Sequence, residues 1–141
     1  MQDLQKFGVQ DTQLVKQNSY INGTWHSSSN QISVINPANG NEVAQVSNAG
    51  VVETELAVKA AKDALKMWSA KSANERAALL RSWFNLMMHH QDDLGRILTL
   101  EQGKPFAEAK GEIGYGAAFI EWFSEEGKRV YGDTIPAPSG D

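Results

Sequence analysis

The Gly103-Lys104 pair is the first candidate for chemistry in this sequence, because a Gly-Lys pair can hold phosphate. It stands in residues 99–116, a stretch that also contains three acids and three further glycines. A phosphate-binding P-loop follows a strand and reads G-x-x-x-x-G-K-[ST], with a hydroxyl after the lysine to bind magnesium. Here Pro105 follows the lysine, and a predicted helix precedes the pair. The spacing therefore argues against phosphate binding.

The three later glycines, Gly111, Gly114 and Gly116, do not form a dinucleotide motif either. Their order is G-x-x-G-x-G, the reverse of G-x-G-x-x-G, and they fall inside a predicted helix. A glycine in a helix interior costs roughly 1 kcal/mol relative to alanine. We therefore expect another element to approach this face of the helix closely.

Four potential metal ligands, His89, His90, Asp92 and Asp93, occur within five residues. Adjacent residues on a helix point about 100° apart, whereas side chains that share a face are three or four residues apart. Only His89 and Asp93 satisfy that spacing. A metal-dependent enzyme built on this cluster is one alternative. A helix end followed by an acidic helix start is the other interpretation.

Composition limits the classes of function. The 141 residues are 41% hydrophobic and 21% charged, which is typical of one globular domain. A net charge of −4 predicts no nucleic-acid partner, and the lack of a long apolar run predicts no membrane partner. With a polar N-terminus, the expected location is the cytoplasm. The chain has no cysteine, so it contains neither a disulfide nor a cysteine nucleophile.

The elements that must position these residues begin with two predicted β-hairpins. Asn22-Gly23 separates two short strand-like runs, and Asn-Gly is the strongest short hairpin signal because both turn positions need positive φ. The second hairpin is predicted from apolar residues at 32–35 and 43–46, joined by turn residues at 36–41. Residues 1–18 precede them as a loose, partly disordered lead-in.

Four amphipathic helices are predicted after residue 50, where the apolar period changes from 2 to 3.6. A capping box of Ser72 and Glu75 announces the second helix. Gly103 ends the third helix, and Pro105 suits the first turn of the fourth. The predicted helices span about 51–69, 73–89, 91–102, and 105 to a close between 127 and 132.

Each predicted helix carries apolar residues that we expect to be buried. Tryptophan and methionine at helical spacing are more typical of a core than of a cofactor pocket. The predicted buried residues are Ala57, Ala60, Ala61, Ala64, Leu65 and Trp68 in the first helix, Leu79, Leu80, Trp83, Leu86 and Met87 in the second, Leu94, Ile97 and Leu98 in the third, and Phe106, Ala109, Ile113, Ala117, Ile120 and Phe123 in the fourth.

Several motifs, in this order, resemble the N-terminal third of the aldehyde dehydrogenase superfamily. They are YINGTW, NPANG, AVKAAKDAL, LEQGKP and GDTIPA. The run from 81 to 136 is most similar to the bacterial, NADP-preferring succinate-semialdehyde dehydrogenases of 4-aminobutyrate degradation. The resemblance covers about residues 14–141. It implies an α/β fold of the aldehyde dehydrogenase type, of which this chain forms the two hairpins and four helices.

The resemblance implies a parent enzyme that oxidises succinate semialdehyde to succinate with NADP or NAD. In that family a cysteine thiolate attacks the aldehyde, hydride passes to the nicotinamide, and a glutamate-activated water hydrolyses the thioester. All of these groups lie in the family beyond the equivalent of Asp141. We therefore expect an N-terminal fragment with no catalytic or cofactor-binding residue, which binds no cofactor and is inactive alone.

The resemblance also divides the chain and implies its partners. Residues 1–18 are the lead-in, 19–131 the N-terminal part of the cofactor-binding domain, and 132–141 the start of the segment leading to the oligomerisation strands. The expected partners are the rest of the parent chain and further copies in a homo-oligomer. A free-standing, non-catalytic binding or assembly module of the same fold is the alternative. A fragment should expose apolar faces and self-associate.

Two site predictions follow only from the resemblance. Val34 or Ile35 is implied to offer a backbone carbonyl, and Glu101 a carboxylate, to a structural monovalent cation, because oxygen ligands suit such a hard ion. A solvated or helix-capping acid is the alternative for Glu101. Tyr115 falls where family members line the mouth of the aldehyde tunnel. A core or interface tyrosine is the alternative there.

Overall fold

In the part of the chain that the structure describes, two antiparallel β-hairpins are followed by four α-helices, which confirms the predicted order. The computed structural model describes residues 4, 7–138 and 140, so parts of the predicted lead-in and C-terminal segment lie outside the described residues. A 3₁₀ turn, Thr12–Leu14, precedes the strands. The strands are β1 Ser19–Ile21, β2 Thr24–His26, β3 Gln31–Ile35 and β4 Glu42–Ser47, and the helices are α1 Val51–Ala70, α2 Ala73–His89, α3 Gln91–Gln102 and α4 Phe106–Glu126.

The two hairpins close through the predicted turn residues. Asn22 and Gly23 have φ values of 49° and 81°, the left-handed conformation that a two-residue hairpin turn requires. In the second hairpin the amide of Asn36 donates to the carbonyl of Asn41 at 2.8 Å. The register between β3 and β4 shifts between Val34 and Ile35, as in a β-bulge, which bends the strand at the position predicted to offer a carbonyl.

Helix ends follow the predicted capping chemistry. The amide of Glu75 donates to Ser72 Oγ, while the Glu75 carboxylate accepts from the Ser72 amide at 2.8 Å, so the capping box is present. Gly103 ends α3 with φ 75° and donates its amide to the carbonyl of Thr99. Only glycine adopts that conformation without a steric cost, which explains why the helix stops there.

Helix α4 packs against both α2 and α3 through small residues. Ala77 of α2 and Ala109, Ala117 and Ser124 of α4 are buried. Where α3 crosses α4, a Cβ atom on Gly95 would lie 3.2 Å from the Cα of Lys110. A larger residue at Gly95 would push the two helices apart, because interiors have little free volume.

The glycine that permits close helix packing is thus not one of those predicted. A Cβ atom on Gly111 or Gly116 would meet nothing within 4 Å in the described part of the chain. On Gly114 it would lie 3.0 Å from Nε2 of Gln91, a side-chain contact. The prediction of a close neighbour was therefore wrong for Gly111 and Gly116, and Gly95 carries that role.

Several predicted core positions are exposed. In α2, Leu80 and Met87 are half-buried, but Leu79, Trp83 and Leu86 are 51%, 55% and 59% exposed. The reason is geometric, since α2 packs on α4 through the side that carries Ala77, and the three exposed residues point elsewhere. The core predictions were also wrong for Ala61, Ala64, Leu65 and Trp68 of α1 and for Phe123 of α4, all of which are exposed.

A small apolar core joins the lead-in to α3. Leu4, Val9 and Leu100 are almost fully buried, and Val15, Val43 and Ile97 pack around them. The polar, aperiodic sequence of the lead-in did not predict this cluster. Its three members from the lead-in, Leu4, Val9 and Val15, are too widely spaced to give a periodic signal. Among the described residues, no helix is long and apolar enough to cross a membrane.

Candidate functional site

The His-His-Gln-Asp-Asp stretch lies where α2 ends and α3 begins. The Asp93 carboxylate accepts hydrogen bonds from the backbone amides of Gln10 at 2.9 Å and Asp11 at 2.8 Å. Asp92 pairs instead with Lys110 of α4, at 2.5 Å. In the described part of the chain, no three His, Cys, Asp or Glu side chains are grouped so as to hold a metal. The metal-enzyme alternative therefore has no geometric support.

Asp93 is a buried acid that holds another segment. Burial opposes its ionisation, but the two amide hydrogen bonds and the charges of Arg96 and His90 outweigh that effect and hold the pKa of Asp93 below its ordinary value. Buried carboxylates with such partners remain charged at neutral pH. Asp93 thereby attaches the lead-in to the start of α3.

The Gly-Lys pair forms no phosphate cradle. Gly103 ends helix α3, and Lys104 forms an ion pair with Glu112, which lies two turns into α4. A P-loop places its glycines after a strand, with amides turned toward the phosphate, and its lysine reaches that phosphate. The lysine here is engaged by a carboxylate, so the geometry agrees with the sequence interpretation.

The residues predicted to hold a cation come from two segments that the fold brings together. Val34 is half-buried and Ile35 lies at the end of β3, while Glu101 lies in the last turn of α3. The turn after β3 contacts the end of α3, because a Cβ on Gly103 would lie 2.7 Å from Cγ of Pro37. Burial raises the pKa of Glu101 above its ordinary value. A carboxylate and backbone carbonyls are ligands that suit a hard cation, and the cation site stays a prediction.

Tyr115 lies on an exposed aromatic surface of α4. It is 68% exposed, which excludes a core role in this chain, and its ring meets Phe119 edge to face with centroids 5.0 Å apart. We call this surface the aromatic face of α4. It consists of Tyr115, Ala118, Phe119, Trp122 and Phe123, which line one shallow apolar cavity. Its residues recur at helical spacing on the side of α4 away from α2 and α3.

An ion-pair network between α2 and α4 was missed by the sequence analysis. Arg81 donates to the carboxylates of Glu121 and Glu125, the latter at 3.1 Å from Nη2. Lys128 and then Arg81 hold the pKa of Glu125 below its ordinary value. No local motif signals this network, because its partners lie on different helices and only the packing of α2 on α4 brings them together.

The sequence that forms the two hairpins and the helical layer matches a known class of protein. Residues 25–141 match the family model described as "Aldehyde dehydrogenase family", and the chain belongs to that family. The resemblance seen in the five motifs is thereby confirmed.

Two similar relatives are named as semialdehyde dehydrogenases. The chain is 57% identical over 135 residues to succinate-semialdehyde dehydrogenase [NADP(+)] of Escherichia coli (strain K12), and 54% identical to glutarate-semialdehyde dehydrogenase of Pseudomonas putida. Each alignment covers 94% of this chain and 28% of the relative. A crystal structure of an E. coli NADP-dependent enzyme superposes with a TM-score of 0.91 at 56% identity, again over 94% and 28% of the two chains.

The sequence thus spans about 28% of the length of the relatives it matches. The superposition confirms the predicted aldehyde dehydrogenase fold for this part.

Proposed function

We propose that this chain is the N-terminal part of a succinate-semialdehyde dehydrogenase of 4-aminobutyrate degradation. The parent enzyme oxidises succinate semialdehyde to succinate, and NADP or NAD, when bound, accepts the hydride. The observation that carries the proposal is the 57% identity with the E. coli enzyme, sustained over 94% of the chain. We further propose a cytoplasmic homo-oligomer, as the family resemblance implies.

The chain by itself contributes scaffold rather than the reacting groups. Thioester chemistry needs a thiolate nucleophile, and the sequence contains no cysteine. The Gly-Lys pair does not fit a phosphate-binding loop either, because it follows a helix and its lysine is paired with Glu112. We infer that the nucleophile, the general base and the cofactor site belong to the rest of the parent chain.

The experiment compares the 141-residue chain with the product of the whole reading frame that encodes it. Each is mixed with succinate semialdehyde and NADP or NAD, and formation of the reduced nicotinamide is followed by absorbance. We expect turnover from the longer product and none from the short chain. Turnover by the short chain would refute its proposed lack of catalytic groups.

Substrate choice needs a second arm of the same assay, because one relative is named for glutarate semialdehyde. We expect the longer product to have the higher kcat/KM for succinate semialdehyde. A clear preference for glutarate semialdehyde would keep the family assignment and reject the proposed substrate. An encoding frame without downstream cysteine would instead favour the free-standing module, whose partner could bind the aromatic face of α4.

We propose that Tyr115 contacts the aldehyde on its way into the parent active site, since it lies exposed on the aromatic face of α4. In the longer protein, Tyr115→Ala should raise KM more than it lowers kcat, because it removes binding rather than chemistry. Tyr20→Ala is the matched control, as Tyr20 is a similarly exposed tyrosine in β1. Equal kinetics for both variants would place Tyr115 away from the tunnel.

We also propose that Glu101, with a carbonyl of Val34 or Ile35, binds a structural monovalent cation. Glu101 is exposed as a residue, and support comes from the local desolvation that raises the pKa of its carboxyl and from the contact between the turn after β3 and the end of α3. Such an ion would supply charge compensation and hold the hairpin against the helix. Potassium chloride should then raise the free energy of unfolding of the longer protein. Glu101→Gln should abolish this potassium-dependent increase in stability.

A further inference from the structure

Residues 7–18 of the lead-in run from the start of α3 to the second hairpin. At the α3 end, the backbone amides of Gln10 and Asp11 both donate to the Asp93 carboxylate. About one helical turn further along α3, Nη1 of Arg96 donates a hydrogen bond to the carbonyl of Phe7 at 3.2 Å. A carboxylate and a guanidinium of the same helix therefore hold consecutive stretches of the lead-in backbone.

At its other end the lead-in is bonded to β4. The carbonyl of Gln17 accepts a hydrogen bond from the amide of Ser47 at 2.8 Å. The hydroxyl of Ser47 lies 3.4 Å from Oδ1 of Asn18. These contacts attach the lead-in to the last residue of the β3–β4 hairpin, far along the chain from Asp93.

Between the two ends the lead-in contributes to the apolar core. Val9 is 3% exposed and packs with Leu100 of α3, while Val15 and Val43 of β4 pack around the same cluster. The hairpin also touches α3 directly at its turn, where Pro37 meets Gly103. The lead-in thus supplies a second attachment, on the side of the hairpin away from that turn.

We propose that residues 7–18 are a strap that fastens the β3–β4 hairpin to α3, with the Asp93 carboxylate as its clasp. Opening the clasp frees the strap and loosens the hairpin. It leaves the packing of α2 on α4 intact, because that interface contains neither the strap nor Asp93. Asp93 is in this sense a positioning residue for the part of the chain that carries Val34 and Ile35.

The charge state of Asp93 should control the strength of the two hydrogen bonds that hold the strap. The titratable groups that line one cavity with Asp93 are Asp11 from the strap and, around the junction of α2 and α3, His89, His90 and Asp92. The charge of Arg96, one turn further along α3, also acts on Asp93, and Asp92 is paired with Lys110 of α4. Because the pKa of Asp93 in the folded chain is below its ordinary value, the stabilising contribution is complete above about pH 4 and is lost as the pH falls through the folded-state pKa.

The test is amide hydrogen exchange of the 141-residue chain, expressed as protection factors so that the intrinsic pH dependence cancels. In Asp93→Asn, one amide of the strap faces a side-chain NH₂ donor instead of an acceptor. Protection at Gln10, Asp11 and Ser47 should then fall by about tenfold or more, while amides in α2 and α4 keep theirs. Asp92→Asn is the control, and strap protection should not change.

Gly8→Ala tests the strap without altering Asp93. Gly8 has φ 88°, and a Cβ there would lie 3.1 Å from Nη1 of Arg96. It should give the same selective loss of protection as Asp93→Asn, for a different reason. The proposal is overturned if strap protection is unchanged in Asp93→Asn, or if both variants lower protection equally in the strap and in α2 and α4.

Discussion

Gly103 and Pro37 are in contact across the boundary between hairpin and helix, since a Cβ on Gly103 would lie 2.7 Å from Cγ of Pro37. Gly103 is the left-handed residue that ends α3, and Pro37 lies in the turn that follows β3. One glycine therefore ends a helix and admits the neighbouring turn. The relationship also brings the turn that follows β3 against the last turn of α3.

Gly103→Ala should destabilise the chain by roughly 2 kcal/mol or more, because it combines a strained left-handed alanine with overpacking against Pro37. Gly111→Ala is the matched control. Its Cβ would meet open space in the described structure. Alanine in place of glycine in a helix interior should raise the free energy of unfolding by about 0.5–1 kcal/mol. Urea unfolding followed by circular dichroism measures both. If the Gly103→Ala chain is as stable as the unsubstituted 141-residue chain, the contact between Gly103 and Pro37 is contradicted.

Ala117 tests the packing of α4 against its neighbours. Its side chain has no exposed surface, so Ala117→Leu should cost about 1–3 kcal/mol through overpacking. Ala118→Leu adds the same atoms on the exposed aromatic face of α4 and should change stability by no more than about 0.5 kcal/mol. If the two variants unfold at the same urea concentration, α4 does not pack as described.

Glu101→Gln should stabilise the chain at pH 7 in a buffer without potassium. Burial raises the pKa of Glu101 in the folded chain, so the folded state favours the protonated acid and ionisation costs stability as the pH rises past the ordinary value, about 4.3. The difference between Glu101→Gln and the unsubstituted chain should vanish near pH 3. Glu55→Gln, an exposed acid of α1, is the control. A gain from Glu101→Gln that is the same at both pH values would exclude the burial effect.

The aromatic face of α4 should make the 141-residue chain self-associate. Its large side chains are at least half exposed, and contiguous apolar surface of this kind drives association. Replacing Phe119 and Trp122 together by glutamine should increase the monomer fraction in sedimentation velocity. The control is the same double replacement by glutamine at Val130 and Ile135, which are exposed outside this face. It should change the monomer fraction less. A monodisperse monomer that unfolds cooperatively would contradict the prediction.

Local features of the fold were predictable because they depend on neighbouring residues. The Asn22-Gly23 turn, the capping box at Ser72 and Glu75, and the end of α3 at Gly103 follow from backbone and capping chemistry within a few positions. The family was predictable for a related reason, since ordered motifs survive as sequence. The matched region, residues 25–141, includes nearly all of the motifs on which the resemblance rests.

Burial was less predictable, because periodicity shows only that a face is apolar and does not say what covers it. Trp83 and Phe123 have the spacing of core residues yet are exposed, whereas Ser124 is buried at the end of the same α4 face as Ala117. The sequence relatives are several times longer than the chain. An apolar stripe can therefore be correct as a pattern while the surface that covers it lies elsewhere.

The sequence by itself determined the order of elements, the approximate bounds of the helices, the family, and the absence of a cysteine nucleophile. Tertiary structure alone decided that Asp93 accepts hydrogen bonds from the lead-in, and that Gly95 permits the close approach of α3 to α4. It also decided the ion pairs of Arg81 with Glu121 and Glu125. Capping and turn formation depend on residues a few positions apart, whereas these contacts join residues distant in the chain, and only chain packing specifies which of them meet.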